Sequence, residues 1–350
     1  MEGMMKAWCV YDDGRAAEIK EIPIPTPGPG ELLLKMASAG VCRTDVAIVR
    51  GKYKKFPLNP ITPGHENAGW VVEKGPGTED CGFDIGEAVV SSANTSCGLC
   101  PNCLNGNTNF CEVHRVRGFA QQGGMAQYMI VRPRELVSLG SLDPREWCSL
   151  GDAGLASYGP VRSSLYKLSG KSTILLFGSG ALAGFAVQYC KLLTACTVIV
   201  VATADERIAM SRKKGADYVV KTGDGAYDEI MEITGGKGVD LVLDYKGDQW
   251  TMDLSQRVVK MNGRVSITGM YGGTFPLSWA TMGTKTGCDV RLWRGGTMED
   301  LQSVVSLAKR GKLINEHTDY PFEDFLKAIE DIENLRVHGR AIIRFDGLNY

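Results

Sequence analysis

Four cysteines stand close together at Cys97, Cys100, Cys103 and Cys111, in a C-x2-C-x2-C-x7-C run. Thiolates at that spacing can surround one tetrahedral zinc at about 2.3 Å per bond, leaving no open position. Gly98, Pro101, Asn102, Asn105, Gly106 and Asn107 lie between them, and these are the turn formers that a metal-wrapped loop needs. Similar spacings serve iron–sulfur proteins, and four unrelated buried thiols is the reading without chemistry. Zinc is the expectation. A closed site of this kind fixes a loop that has little core of its own.

Cys42 and His65 are 23 residues apart, in Gly40-Val41-Cys42-Arg43-Thr44-Asp45 and Gly64-His65-Glu66. Taken singly, they read as a small buried hydrophobe and an ordinary histidine. Together they offer a soft sulfur and an imidazole. These are two of the three protein ligands of a zinc site that keeps its fourth position for substrate.

Gly178-Ser179-Gly180-Ala181-Leu182-Ala183 matches G-x-G-x-x-A, the dinucleotide fingerprint. Gly178 allows the turn, and Gly180 lets backbone approach a pyrophosphate. The small third position permits close helix–strand packing, and the N-terminus of the helix opened by Ala181 and Leu182 favours phosphate charge.

These residues need elements to position them. Up to about residue 150 the chain reads as short strands and loops, with strands at 32–34 and 68–72. After about residue 170, strands and helices alternate. Strands are expected at 173–177, 197–201, 218–221, 239–245 and 264–268, and helices at 181–193, 205–214 and 252–261. Such alternation means βαβ units and a parallel sheet buried on both faces. The uncharged run 174–190 imitates a membrane span, which needs about 20 apolar residues. Gly178-Ser179-Gly180 splits it, Gln188, Tyr189 and Lys191 intrude, and a strand–helix–strand unit explains the same letters. From about residue 290 the pattern is mixed again and closes with a strand at 340–345.

In this order the motifs resemble those of the zinc-dependent medium-chain alcohol dehydrogenases, over essentially the whole chain from Met5 to Phe345. The resemblance implies an α/β protein. A Rossmann doubly wound parallel sheet at 152–288 would be inserted into a mostly β, GroES-like catalytic domain at 1–151 and 289–350, which carries the structural zinc lobe. It implies reversible oxidation of an alcohol to an aldehyde or ketone, with hydride passing to NAD(P)+ and two Zn2+ per chain. In the best-known members the third catalytic ligand is a second cysteine. Here Asp152 stands in its place, as in a bacterial branch of the family, so the resemblance implies a Cys42/His65/Asp152 site, with Cys148 as the alternative.

A metal there acts as a Lewis acid on the alcohol. The resemblance makes Thr44 the hydroxyl that takes the alcohol proton and Asp45 the acceptor for the His65 ring N–H. Glu66 becomes a carboxylate near the metal that assists ligand exchange, or else a hydrogen-bonded buried acid. Ala47 stands where many relatives carry a relay histidine, which leaves bulk water to end the relay. Arg43 and Arg340 match basic positions that contact the pyrophosphate.

NAD-specific Rossmann folds place an acid at the end of the second strand. Ala202 stands there and the first carboxylate is Asp205. Losing the acid removes a repulsion against a 2′-phosphate that Thr203 and Arg207 can contact, so the expectation leans to NADP(H).

Composition narrows the remaining choices. Lys and Arg number 39 against 40 Asp and Glu, a net charge of −1, with 44% hydrophobic residues. That excludes disorder and gives a zinc-bearing nucleic-acid module none of the basic surface it requires. A zinc-free quinone reductase would lack the lobe and the ligands. Polyol and amino-alcohol dehydrogenases stay open, because Trp70, Trp279 and Trp293 suggest an apolar cleft without naming a substrate. The first residues lack an apolar signal stretch, so a cytoplasmic protein with reduced thiols is expected. Its partners would be a small alcohol, aldehyde or ketone, with no nucleic acid and no membrane. The resemblance implies a homodimer or homotetramer.

Overall fold

A computed structural model describes residues 3–53, 56–113 and 115–348. The chain divides into two compact units, Met1–Leu155 with Gly295–Tyr350, and Ala156–Arg294.

The first unit is built on a seven-stranded sheet. Its order is His317–Pro321, Arg340–Arg344, Leu32–Val41, Glu66–Lys74, Ala88–Ser91 and Leu136–Ser138, and Tyr128–Val131 also pairs with Leu32–Val41. Strand alternation explains the leucine triplet, since successive side chains point to opposite faces. Leu32 and Leu34 enter the core with Val71, Met129, Phe325 and Phe345. Leu33 enters a second core with Met5, Ala7 and Tyr128. All three leucines are fully buried. The chain returns to this sheet at its far end, where Ala341 to Arg344 pair antiparallel with Val41 to Ser38. The Trp8 indole N–H donates to the Phe322 carbonyl at 2.8 Å, tying the early chain to the late one.

The second unit is a six-stranded, wholly parallel sheet. The strand order is Tyr218–Lys221, Thr197–Ala202, Thr173–Phe177, Val239–Asp244, Val259–Ile267 and Asp289–Leu292. In order of sequence within the unit this is 3-2-1-4-5-6, the doubly wound order whose direction of build reverses beside the first strand. Ile174, Leu175 and Leu176 are fully buried, as a strand covered on both faces requires. Among the described residues no helix is long and apolar enough to cross a membrane. The run 174–190 is instead the strand Thr173–Phe177 and the helix Ala181–Leu193.

Several expected boundaries move, among them the division expected at 151/152, which falls at Leu155/Ala156. The helix expected at 252–261 is Gln249–Val258, begun by Asp248, whose side chain accepts from the Thr251 N–H. Val259 instead pairs with Val239, and the chain turns through Asn262 at φ 58 before the strand continues to Ile267. The strand expected to reach Tyr245 stops at Asp244. The return to the first unit falls at Gly295 rather than 289, because Asp289–Leu292 adds to Val259–Ile267 as the sixth strand.

Candidate metal centres and coenzyme loop

The four sulfurs of Cys97, Cys100, Cys103 and Cys111 all lie within 4.8 Å of one another. The loop that carries them has almost no core. Its helix Pro101–Leu104 buries no residue, and Leu99 and Leu104 are largely exposed. What shapes it is backbone. The N–H groups of Leu99 and Cys100 donate to Cys97 Sγ at 3.4 and 3.3 Å, and the Cys97 N–H donates to Cys111 Sγ at 3.3 Å. Those donors pull the Cys97 thiol down to about 6, whereas desolvation pushes Cys103 up to about 12. Four soft donors at this spacing, some already polarised toward thiolate, fit one tetrahedral zinc.

Cys42, His65 and Asp152 form a second group whose ligand atoms all lie within 4.8 Å. Each comes from a different segment. Cys42 caps the helix Arg43–Val49, His65 precedes the strand Glu66–Lys74, and Asp152 follows the short turn Cys148–Gly151. Asp45 locks the first two together by accepting from the N–H groups of Cys42 at 2.8 Å and Gly64 at 3.2 Å.

His65 Nδ1 lies 3.4 Å from Asp45 Oδ1, buried and outside hydrogen-bond geometry, while Nε2 faces Asp152 Oδ2 at 3.6 Å. Burial alone would lower the pKa of this ring, but the charges of Asp45 and Asp152 outweigh it and raise it well above the ordinary value. Burial likewise works against ionising Asp152, yet the His65 contact and Arg340 bring its carboxyl below the usual range. Cys42 shows the same balance, with burial overcome by Arg340 and His65. The pocket thus concentrates negative donors around one buried imidazole, and a divalent cation among them fits the donor set. Thr44 Oγ1 lies 3.8 Å from Cys42 Sγ.

Cys148 does not join this group. It is fully buried and its thiol is pushed up to about 12. Glu66 takes the second of its two readings, a hydrogen-bonded buried acid, and Arg340 pairs with it where a pyrophosphate contact was expected. Both are buried, and the Arg340 guanidinium donates to both carboxylate oxygens of Glu66. Arg43 is exposed at the start of its helix.

In the second unit the fingerprint sits where its sequence requires. Gly178 has φ 113, a conformation side chains resist, and Gly180 caps the helix Ala181–Leu193. Ala202 ends its strand and is buried, whereas Thr203 is exposed. The Arg207 side chain reaches back to donate to the Ser179 carbonyl at 3.4 Å. Asp205 turns outward to Lys221, 3.5 Å away and mostly exposed.

The tryptophans have separate duties. Trp70 lies under the Arg145 guanidinium at 4.9 Å. Trp293 is buried against Gly159, and Trp279 is 83% exposed. Sequence reasoning missed the role of Gly40, which sits opposite Glu66 across the sheet. The signal that marks such close approach is a glycine inside a strand, and Gly40 lay beyond the strand expected at 32–34, which in the structure runs on to Val41.

Comparison with known proteins agrees with this layout. Residues 28–141 match the alcohol dehydrogenase GroES-like domain, and residues 181–310 match the zinc-binding dehydrogenase domain. D-arabinose 1-dehydrogenase (NADP(+)) of Saccharolobus solfataricus is 32% identical over 338 residues, covering 93% of each chain. An NAD-dependent alcohol dehydrogenase of Sulfolobus acidocaldarius is 28% identical over 356 residues, covering 97% of this chain and 99% of its own. The crystal structure of the alcohol dehydrogenase from Aeropyrum pernix superposes with a TM-score of 0.90 at 28% identity, over 97% of this chain and 99% of that one. The chain belongs to the zinc-dependent medium-chain alcohol dehydrogenase family. It is an oxidoreductase that interconverts an alcohol with its carbonyl compound using a nicotinamide coenzyme.

Proposed function

We propose that Cys42, His65 and Asp152 hold the catalytic zinc, that the four-cysteine lobe holds a structural one, and that NADP(H) is the preferred coenzyme. The observation that carries the reading is the convergence of one sulfur, one imidazole nitrogen and one carboxylate oxygen from three separate segments within 4.8 Å. When bound, the metal supplies Lewis-acid activation of the alcohol at neutral pH. The chain's own groups do the rest. Asp45 holds the backbone on either side of the pocket through the Cys42 and Gly64 N–H groups and faces the His65 ring at 3.4 Å, and the Thr44 hydroxyl takes the alcohol proton. With Ala47 beyond it, that proton leaves to water. The Gly178–Gly180 turn and the helix N-terminus behind it receive the pyrophosphate.

Arg207, held beside Ser179, and exposed Thr203 suit a 2′-phosphate, while Asp205 faces Lys221 instead of a ribose. A sugar or polyol substrate is the second reading, favoured by the arabinose dehydrogenase that matches nearly the whole chain. Eleven cysteines, all unpaired, suit the reducing cytoplasm. The exposed Leu292 on the edge strand, with Met270, Leu277 and Trp279 exposed nearby in sequence, suits association with a second copy.

The test is one assay set. Metal analysis should find two zinc ions per chain, and kcat/KM should favour NADP+ over NAD+ across a panel of primary, secondary, cyclic and sugar alcohols. One zinc per chain would refute the metal assignment, and a strong NAD+ preference would refute the coenzyme assignment.

A further inference from the structure

The buried Glu66 carboxylate sits at a crossing of three strands. Gly40 lies opposite Glu66 in one direction and opposite Ile342 in the other, so the Leu32–Val41 strand runs between Glu66 and Arg340. The Glu66 side chain crosses that strand above Gly40, where a Cβ would overlap the carboxylate. On the far side Arg340 Nε donates to Glu66 Oε2 at 2.6 Å, and a second guanidinium nitrogen donates to Oε1. Oε1 also accepts from the backbone N–H of Ala153 at 2.8 Å. Glu66 is 0% exposed and Arg340 is 7% exposed.

Arg340 apart, the residues that this carboxylate touches lie within two positions of a member of the Cys42/His65/Asp152 group. Gly40 is two residues before Cys42, Glu66 follows His65, and Ala153 follows Asp152. We propose that Glu66 is a positioning residue, a clamp whose two oxygens set the spacing of the three ligand-bearing segments, with Gly40 leaving room for it. Asp152 depends on it most, because Cys42 directly follows the strand Leu32–Val41 and His65 directly precedes the strand Glu66–Lys74, whereas Asp152 adjoins only the short turn Cys148–Gly151. Gly151 does have a second anchor, its carbonyl accepting from the Ala93 N–H at 3.1 Å, so the segment stays folded when the clamp is cut.

The inference rests on the proposed metal site, and its test separates the two. Zinc release to a chromogenic chelator is followed in the wild type, Glu66→Gln, Glu66→Ala and Gly40→Ala, with absorption spectra of the cobalt-substituted proteins. The four-cysteine lobe is the internal control for folding. Glutamine offers one acceptor in place of two and carries no charge against Arg340. Release from the first site should quicken about 10-fold in Glu66→Gln and about 100-fold in Glu66→Ala, the range seen when a partner behind a metal ligand is lost. Gly40→Ala keeps every ligand and Glu66 itself, and should show the same selective loss and an altered cobalt spectrum. Release rates and spectra equal to wild type in all three variants would overturn the clamp. So would equal quickening at both sites, which marks general destabilisation. A wild type that holds a single zinc would instead overturn the metal site itself and the clamp with it.

Discussion

Gly159 gives Trp293 its seat: a Cβ at position 159 would stand 2.6–2.8 Å from Cζ2, Nε1 and Cε2 of the indole. Real side chains do not approach that closely, and the buried ring has little room to retreat. Gly159→Ala should therefore destabilise the protein by about 1–3 kcal/mol, the usual cost of overpacking a core. The intrinsic gain from alanine in a helix, up to about 1 kcal/mol, is too small to offset it. A melting temperature equal to or above that of the parent would contradict the fit.

Asp152→Ala removes the one carboxylate of the proposed catalytic zinc site. The variant should retain the lobe zinc and lose the other, so that metal per chain falls from two to one and kcat/KM drops by more than about 100-fold. Asp152→Cys restores an anionic donor and should recover metal. Full zinc and activity in Asp152→Ala would sink the assignment.

The lobe thiols should differ sharply once zinc is stripped. The Leu99 and Cys100 N–H groups bring the Cys97 thiol down to about 6, whereas desolvation pushes Cys103 up to about 12. Brief alkylation of the chelator-treated protein at pH 7 should label Cys97 before Cys103, because the thiolate is the nucleophile. Peptide mapping reads the order, and uniform labelling refutes it. Zinc should protect all four.

Alkaline pH should find a weak point at Tyr320. Its hydroxyl donates to Asp331 at 3.0 Å, and burial followed by that carboxylate raises its pKa to about 12, against about 10 in an unfolded chain. Between those values the unfolded chain has lost a proton that the folded chain keeps, so this contribution to stability is intact below about pH 10 and disappears by about pH 12. Tyr320→Phe should flatten the fall of the urea midpoint across that window relative to wild type. Parallel curves would show that the residue does not contribute.

How much of this was legible depended on distance along the chain. The cysteine lobe and the Gly178 turn are local, and their spacing alone announced them. The place of Asp152 beside Cys42 and His65 was reachable only through resemblance, since nothing near it in sequence marks it out. The helix end at Val258 was misplaced because residues 252–261 suit a helix until Val259 finds Val239 in a sheet. The Asp289–Leu292 strand was missed because an edge strand half open to solvent, with charges at Asp289 and Arg291, lacks the apolar run of a buried one. The partnership of Glu66 with Arg340 spans 274 positions, and no periodic signal reaches that far.

The late return of the chain also sets an order of events during synthesis. Residues 156–294 are contiguous and can close their parallel sheet as soon as they emerge from the ribosome. The first unit cannot. Until the Arg340–Arg344 strand is delivered, the stretch Ser38–Val41 lacks its second neighbour and Glu66 has no guanidinium partner. The catalytic half therefore begins first and finishes last, and a nascent chain halted before residue 340 would carry a mature coenzyme fold beside an incomplete metal pocket.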